Sequence, residues 1–166
     1  PTHPDFPDMA IVVADASNLK RNLLLFSQVR DLGIPTVLAL NMIDVAENEG
    51  YVINSIKLAR ELNVEVAEVN AKKGIGLNGL KLAVVKTLAN RYASNDALPL
   101  AVSEEIIQEV QSAFGEGETY RSLLWLMEHD RMKMFSKQQR ETFDDIQNKH
   151  HFSSKKYQSE ETVKRY

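Results

Sequence analysis

The stretch "LALNMID", Leu38–Asp44, decides how this chain is read. Five of its seven residues are apolar, and its two polar residues, Asn41 and Asp44, stand three positions apart at its end. With "PTV" in front of it, it reads as a buried strand over Pro35–Asn41 that delivers a carboxamide and a carboxylate to the rim of a sheet. In open parallel sheets, ligands sit at that rim, outside the carboxyl ends of the strands.

Outward from this strand the pattern repeats. "MAIVVADA" (Met9–Ala16) is a nearly unbroken apolar run, as expected of a strand covered on both faces. Leu19, Leu23, Phe26 and Leu32 follow at close to helical spacing, with Asn18 as the expected N-cap and Gly33 with Pro35 as the stop. Beyond Asp44 a polar stretch, "DVAENEGYVINS", leads into a helix carrying Ile56, Leu58, Ala59 and Leu62. "VEVAEV" (Val64–Val69) is a third strand. The loop "NAKKGIG" then opens a helix through Leu80, Val84, Val85 and Leu88. Three strands separated by helices predict a parallel sheet with right-handed crossovers. Three are few against a usual sheet of about five to six strands. The first strand, read as buried, also calls for a neighbour on each side, so the α/β unit reads as incomplete.

From about residue 93 the character changes to helix alone, with segments near Ser103–Ala113, Tyr120–His129 and Lys137–Lys149 and a further one from Tyr157. Residues 1–92 carry ten basic and ten acidic groups, and residues 93–166 carry ten and thirteen, so the helical part holds the net charge of −3. That balance offers no broad basic surface to nucleic acid. The chain has no cysteine, which removes disulfides, thiolate metal sites and cysteine nucleophiles. No apolar run approaches the roughly 18 residues of a transmembrane helix. The opening "PTHPDFPDMA", with three prolines and no initiator Met, reads as the middle of a longer protein.

Asn41 and Asp44 admit two readings. An ionised Asp accepts a fork of two hydrogen bonds from the ring N1–H and exocyclic amine of guanine, and adenine would leave it buried and unpaired. In that reading Asn41 ties neighbouring loops together. In the other, Asp44 caps a helix and Asn41 is a turn residue. "NAKKGIG" opens on the same rim, where Ala71 allows close approach and its N–H can donate to the guanine carbonyl oxygen. Gly74, Gly76 and Gly79 also spell G-x-G-x-x-G after a strand, with Asp96 about 20 positions on, the context of an NAD-type dinucleotide site. Asp96, however, lies in a turn-like stretch, and the glycines read more simply as loop and helix-entry residues. G-x-x-x-x-G-K-[ST] does not occur, and no D-x-x-G follows a strand, so the residues supply neither a phosphate cradle nor a Mg²⁺ ligand set. No catalytic residue and no metal-ligand cluster is read from spacing. His150 and His151 read as surface residues, Met132, Met134 and Phe135 as a soft core or interface patch, and Trp125 as a core anchor of the helical part.

On these residues the chain resembles the cytoplasmic region of the ferrous iron transport protein B (FeoB) family. "VVADASNLKRNLLLFSQVRDLGIPTVLALNMIDVAENEG" resembles the run through its G4 motif, "VNAKKGIGLNGL" its G5 loop, and "YQSEETVKRY" the end of its helical domain. "NMID" fits the family's Asn-x-x-Asp, where most small GTPases have Asn-Lys-x-Asp. The resemblance implies a fold of class α/β, the C-terminal half of a P-loop-type GTPase domain over residues 1–92, followed by an all-α helical regulatory domain over 93–166. It implies GTP or GDP as ligand, with Asn41 and Asp44 binding guanine, Met42 flanking the base, and Ala71 and Lys72 on the G5 loop. Asn70 departs from the family, where Ser or Thr commonly precedes the Ala, and is expected to weaken the loop's geometry. The resemblance further implies a chain truncated at its N-terminus. The P-loop, switch I, D-x-x-G and the Mg²⁺ site would precede Pro1, and a membrane permease would follow Tyr166. The intact family is a slow GTPase on the cytoplasmic face of the bacterial inner membrane. This chain alone is expected to bind nucleotide weakly or not at all, and not to hydrolyse it. The other readings that stay open are a non-catalytic helical interaction module and the dinucleotide enzyme.

Overall fold

Three short strands, β1 (Ala10–Asp15), β2 (Thr36–Asn41) and β3 (Val66–Val69), form a parallel sheet in the order β1-β2-β3. They belong to a computed structural model that describes residues 7–90, 102–115 and 117–165. The chain divides into two compact units, Pro1–Asp96 and Ala97–Tyr166. The boundary expected at residues 92/93, and Asp96, lie outside the described residues.

The sheet's two faces are sorted by the strands' alternation. Val12, Ala14, Leu38 and Leu40 share one face and enclose Phe26, which is fully buried. Helices α1 (Leu19–Arg30) and α3 (Ser55–Leu62) cover that face through Leu19, Leu23, Val29, Leu58 and Leu62. On the other face Val37 and Ala67 pack against Leu80 and Ala83 of α4 (Leu77–Asn90). β2, central, is buried at five successive positions, which is why its sequence is a continuous apolar run.

Several expectations need correction. The run Met9–Ala16 implied cover on both faces, but Ile11 and Val13 stand 45% and 59% exposed, while α4 packs chiefly on β3 and β2. The stretch after Asp44 is not merely polar linker: α2 (Ile43–Asn48) forms there, seated by the buried Ala46. Asn18 precedes α1 but makes no side-chain cap. A 3-10 turn over Ala16–Asn18 comes first, and its cap is Asp15, whose Oδ1 accepts from the Ser17 N–H at 2.9 Å. β3 begins at Val66, two residues later than its apolar pattern.

The second unit is helical: α5 (Glu104–Phe114), α6 (Thr119–Glu128), α7 (Lys137–Lys149) and α8 (Ser154–Arg165). Ile106, Val110, Leu126, Phe135, Phe143 and Ile146 form its core. Phe114 stacks on Phe143 with ring centroids 3.9 Å apart, and Phe135 meets Phe143 edge-on at 5.0 Å. Trp125 packs at this core's edge, with the Arg121 guanidinium 5.7 Å from its ring. Ser136 and Gln139 start α7 with a reciprocal capping box. The Met132–Phe135 patch divides: Phe135 is core, Met132 packs on it, and Met134 is exposed. His150, expected at the surface, is instead largely covered, and its Nε2 lies 2.7 Å from Glu109 Oε2. Burial pushes the Tyr120 phenol well above its ordinary pKa.

Candidate functional site

Parallel register brings Asp15, Asn41 and Val69 into line at the carboxyl ends of the three strands. Two loops leave this rim side by side. After Asn41 the chain turns at Met42, whose φ of 63° lies in the left-handed region, and enters α2 with Asp44 in its first turn. Met42, not Asp44, occupies the N-cap position, so the helix-cap reading of Asp44 does not hold. After Val69 a tight loop closes on itself: Asn70 N–H donates to Ile75 O at 2.9 Å and Ile75 N–H to Asn70 O at 3.1 Å.

Side chains join the two loops. Asn41 Oδ1 accepts from the Ala71 N–H at 3.1 Å, so Asn41 is a tie between loops and not a turn residue. Asp44 Oδ2 accepts from Asn70 Nδ2 at 2.9 Å and from Lys73 Nζ at 3.0 Å. The Lys73 hydrogen bond holds the Asp44 carboxyl below the usual carboxylate range; desolvation opposes it, and the Lys73 charge adds to the lowering. The Ala71 N–H expected to face a base is thus committed to Asn41. Asn70, expected to weaken the loop, takes part in it through its side chain, whose Oδ1 also accepts from the Lys73 N–H at 3.0 Å.

Of the six residues singled out, Asn41, Asp44, Asn70 and Ala71 are brought into one hydrogen-bonded cluster. Met42 adjoins it in the chain and is 39% exposed. Lys72 is exposed and makes no hydrogen bond within the cluster. Lys73 was missed as a partner of Asp44, because nothing in one sequence links positions 29 apart. The glycines do not form a dinucleotide turn. Gly76, with φ 82°, is where the loop's backbone presses on β3, and a Cβ there would overlap the Glu68 carbonyl oxygen. Gly79 lies within α4 facing open space, and among the described residues no strand follows α4 to present an acidic ribose ligand.

Residues 3–84 match the family model of ferrous iron transport protein B. The chain belongs to the FeoB family. The Fe(2+) transporter FeoB of Escherichia coli K12 is 38% identical over 106 residues, which are 63% of this chain and 13% of that protein. The chain therefore spans about an eighth of the curated relatives it matches. The cytosolic domain of L. pneumophila FeoB superposes with a TM-score of 0.72 at 26% identity, covering 97% of this chain and 66% of that one. An S. thermophilus NFeoB mutant bound to GMPPNP gives 0.64 at 29% identity, covering 95% and 66%. The FeoB fold thus runs through both units, as the α/β-plus-helical reading implied. No helix among the described residues is long and apolar enough to cross a membrane.

Proposed function

We propose that this chain carries the base-reading part of a guanine-nucleotide pocket in the cytoplasmic region of a ferrous iron transporter. The observation that supports it most is the junction of the two loops, Asn41 to Ala71 and Asn70 to Asp44, on the rim where two adjacent strands end. A carboxylate there accepts the N1–H and exocyclic amine of guanine together. Asn70 orients it, and Lys73 gives up its place, at small cost for an exposed pair. Met42 flanks the base, and Lys72 lines the approach.

The S. thermophilus relative is named as bound to GMPPNP, which favours GTP and GDP as the ligands of this pocket. The phosphates and their Mg²⁺ are held by other G-domain segments, because this chain has no G-x-x-x-x-G-K-[ST]. Those segments and a permease in the same protein are its functional partners. The helical unit passes nucleotide state to that permease. Hydrolysis belongs to the assembled domain.

The test is saturation-transfer NMR of the 166-residue chain with GDP, GTP, ATP and NAD. Weak binding confined to the guanine nucleotides is expected, lost in Asp44→Asn and shifted by that change toward xanthine nucleotides, whose 2-oxo group accepts from an amide. Equal transfer to ATP or NAD, or unchanged GDP binding in Asp44→Asn, sinks the assignment.

A further inference from the structure

His129 opens a 3-10 turn (His129–Arg131) after α6 and is 2% exposed, with Phe143 stacked on its ring at 5.0 Å. Its Nδ1 lies 3.0 Å from the Leu126 carbonyl oxygen, which is itself fixed by Gln147 Nε2 at 2.6 Å. A carbonyl only accepts, so Nδ1 carries the ring proton and Nε2 of the neutral ring presents a lone pair. That lone pair faces two more acceptors, Asp144 Oδ1 at 3.1 Å and Asp130 Oδ1 at 3.7 Å. No lysine or arginine among the described residues forms an ion pair with either carboxylate.

We propose that His129 Nε2, Asp130 and Asp144 form a binding site for a divalent first-row transition ion in the helical unit. With the ring neutral, three acceptor atoms lying within 4.8 Å of one another repel unless a cation lies between them. Ligands about 2.0–2.2 Å from a common ion sit roughly 2.8–3.6 Å apart at octahedral or tetrahedral angles; Nε2 and Asp144 Oδ1 stand at 3.1 Å, and the exposed Asp130 carboxylate, 3.7 Å from Nε2, closes in on the ion. A backbone carbonyl on the far ring nitrogen is the usual support of a metal-ligating histidine, since it sets the tautomer and the ring's orientation. The imidazole nitrogen selects Zn²⁺ or Fe²⁺ over Mg²⁺ and Ca²⁺, and two carboxylates neutralise the charge. Asp130 and Asp144 are 79% and 55% exposed, so the ion enters from solvent and keeps water on its remaining positions. A bound ion would fasten the turn after α6 to α7.

The site has no sequence signature: its histidine and second aspartate are 15 residues apart, and only the turn and α7 bring them together. It belongs to the helical unit and shares no residue with the loop cluster at the sheet rim, and its test is independent of nucleotide. The full chain is titrated with Zn²⁺, and anaerobically with Fe²⁺, against a chromophoric chelator, while long-range ¹H–¹⁵N spectra follow the histidine rings. One equivalent is expected, with the His129 Nε2 resonance moving, Nδ1–H retained, and an excess of Mg²⁺ without effect. Asp144→Asn, a surface change that leaves the fold in place by circular dichroism, weakens Zn²⁺ by about 10–100-fold. An unmoved His129 Nε2, or the same affinity in the Asp130→Asn/Asp144→Asn double variant, overturns the assignment.

Discussion

Two glycines of one loop offer a controlled comparison. At Gly74 (φ 68°) an added methyl meets nothing within 4 Å, so Gly74→Ala costs only the left-handed backbone, about 1–2 kcal/mol. At Gly76 (φ 82°) the same backbone cost applies, but the methyl also overlaps the Glu68 carbonyl oxygen and lies 3.0 Å from Val69 Cα. Both are main-chain atoms of β3, so no rotamer relieves the clash. Overpacking of this kind adds about 1–3 kcal/mol, bringing Gly76→Ala to roughly 2–5 kcal/mol. For a unit of this size each kcal/mol moves Tm by about 4–8 °C. Gly74→Ala should therefore lower the melting of the α/β unit by several degrees, and Gly76→Ala by about twice that or more. The assay is thermal unfolding by far-UV circular dichroism, with fluorescence of the single tryptophan, Trp125, as a reference for the helical unit. Equal shifts in the two variants would refute the packing role assigned to Gly76.

Other expectations follow from the same geometry. Phe143→Ala removes a fully buried ring that meets Phe114, Phe135 and His129 and should cost about 3–5 kcal/mol, read as a lower urea midpoint of Trp125 fluorescence. Asn70→Ala frees the Lys73 N–H and should speed its amide exchange roughly five-fold, one neutral hydrogen bond's worth, whereas an unchanged rate would show that Asn70 does not hold the loop. Glu109 is held below its ordinary value of 4.5 by the hydrogen bond from His150, then by that from Lys149. A lowered folded pKa means its stabilisation is complete above that ordinary value and is lost as pH falls through the folded one. Carboxyl ¹³C NMR should find Glu109 titrating below 4.5, and His150→Ala should bring it back up.

The parallel sheet was legible because β2 is central: burial on both faces leaves an apolar run ending in the two polar residues that meet the next loop. β1 has much the same composition, yet one of its faces is open, and composition cannot report how far a covering helix reaches. α2 was hidden because it is short and polar, held by Ala46 and by the turn at Met42. The pairing of Asn41 and Asp44 with the 70–73 loop was legible as shared position on the rim, but its individual bonds were not. Which atom the Ala71 N–H serves, and that Lys73 reaches Asp44, depend on ångström-scale loop geometry. His129 carried no signal at all, since its partners come from a turn and a separate helix.

β1 also has a consequence for handling the protein. One of its edges has no strand partner among the described residues, and Ile11 and Val13 stand on its open face. Unpaired main-chain groups beside exposed β-branched side chains form a template for a strand from another molecule. At high concentration the isolated chain should therefore self-associate through β1. A lysine in place of Val13 should keep it dispersed without disturbing the face that encloses Phe26.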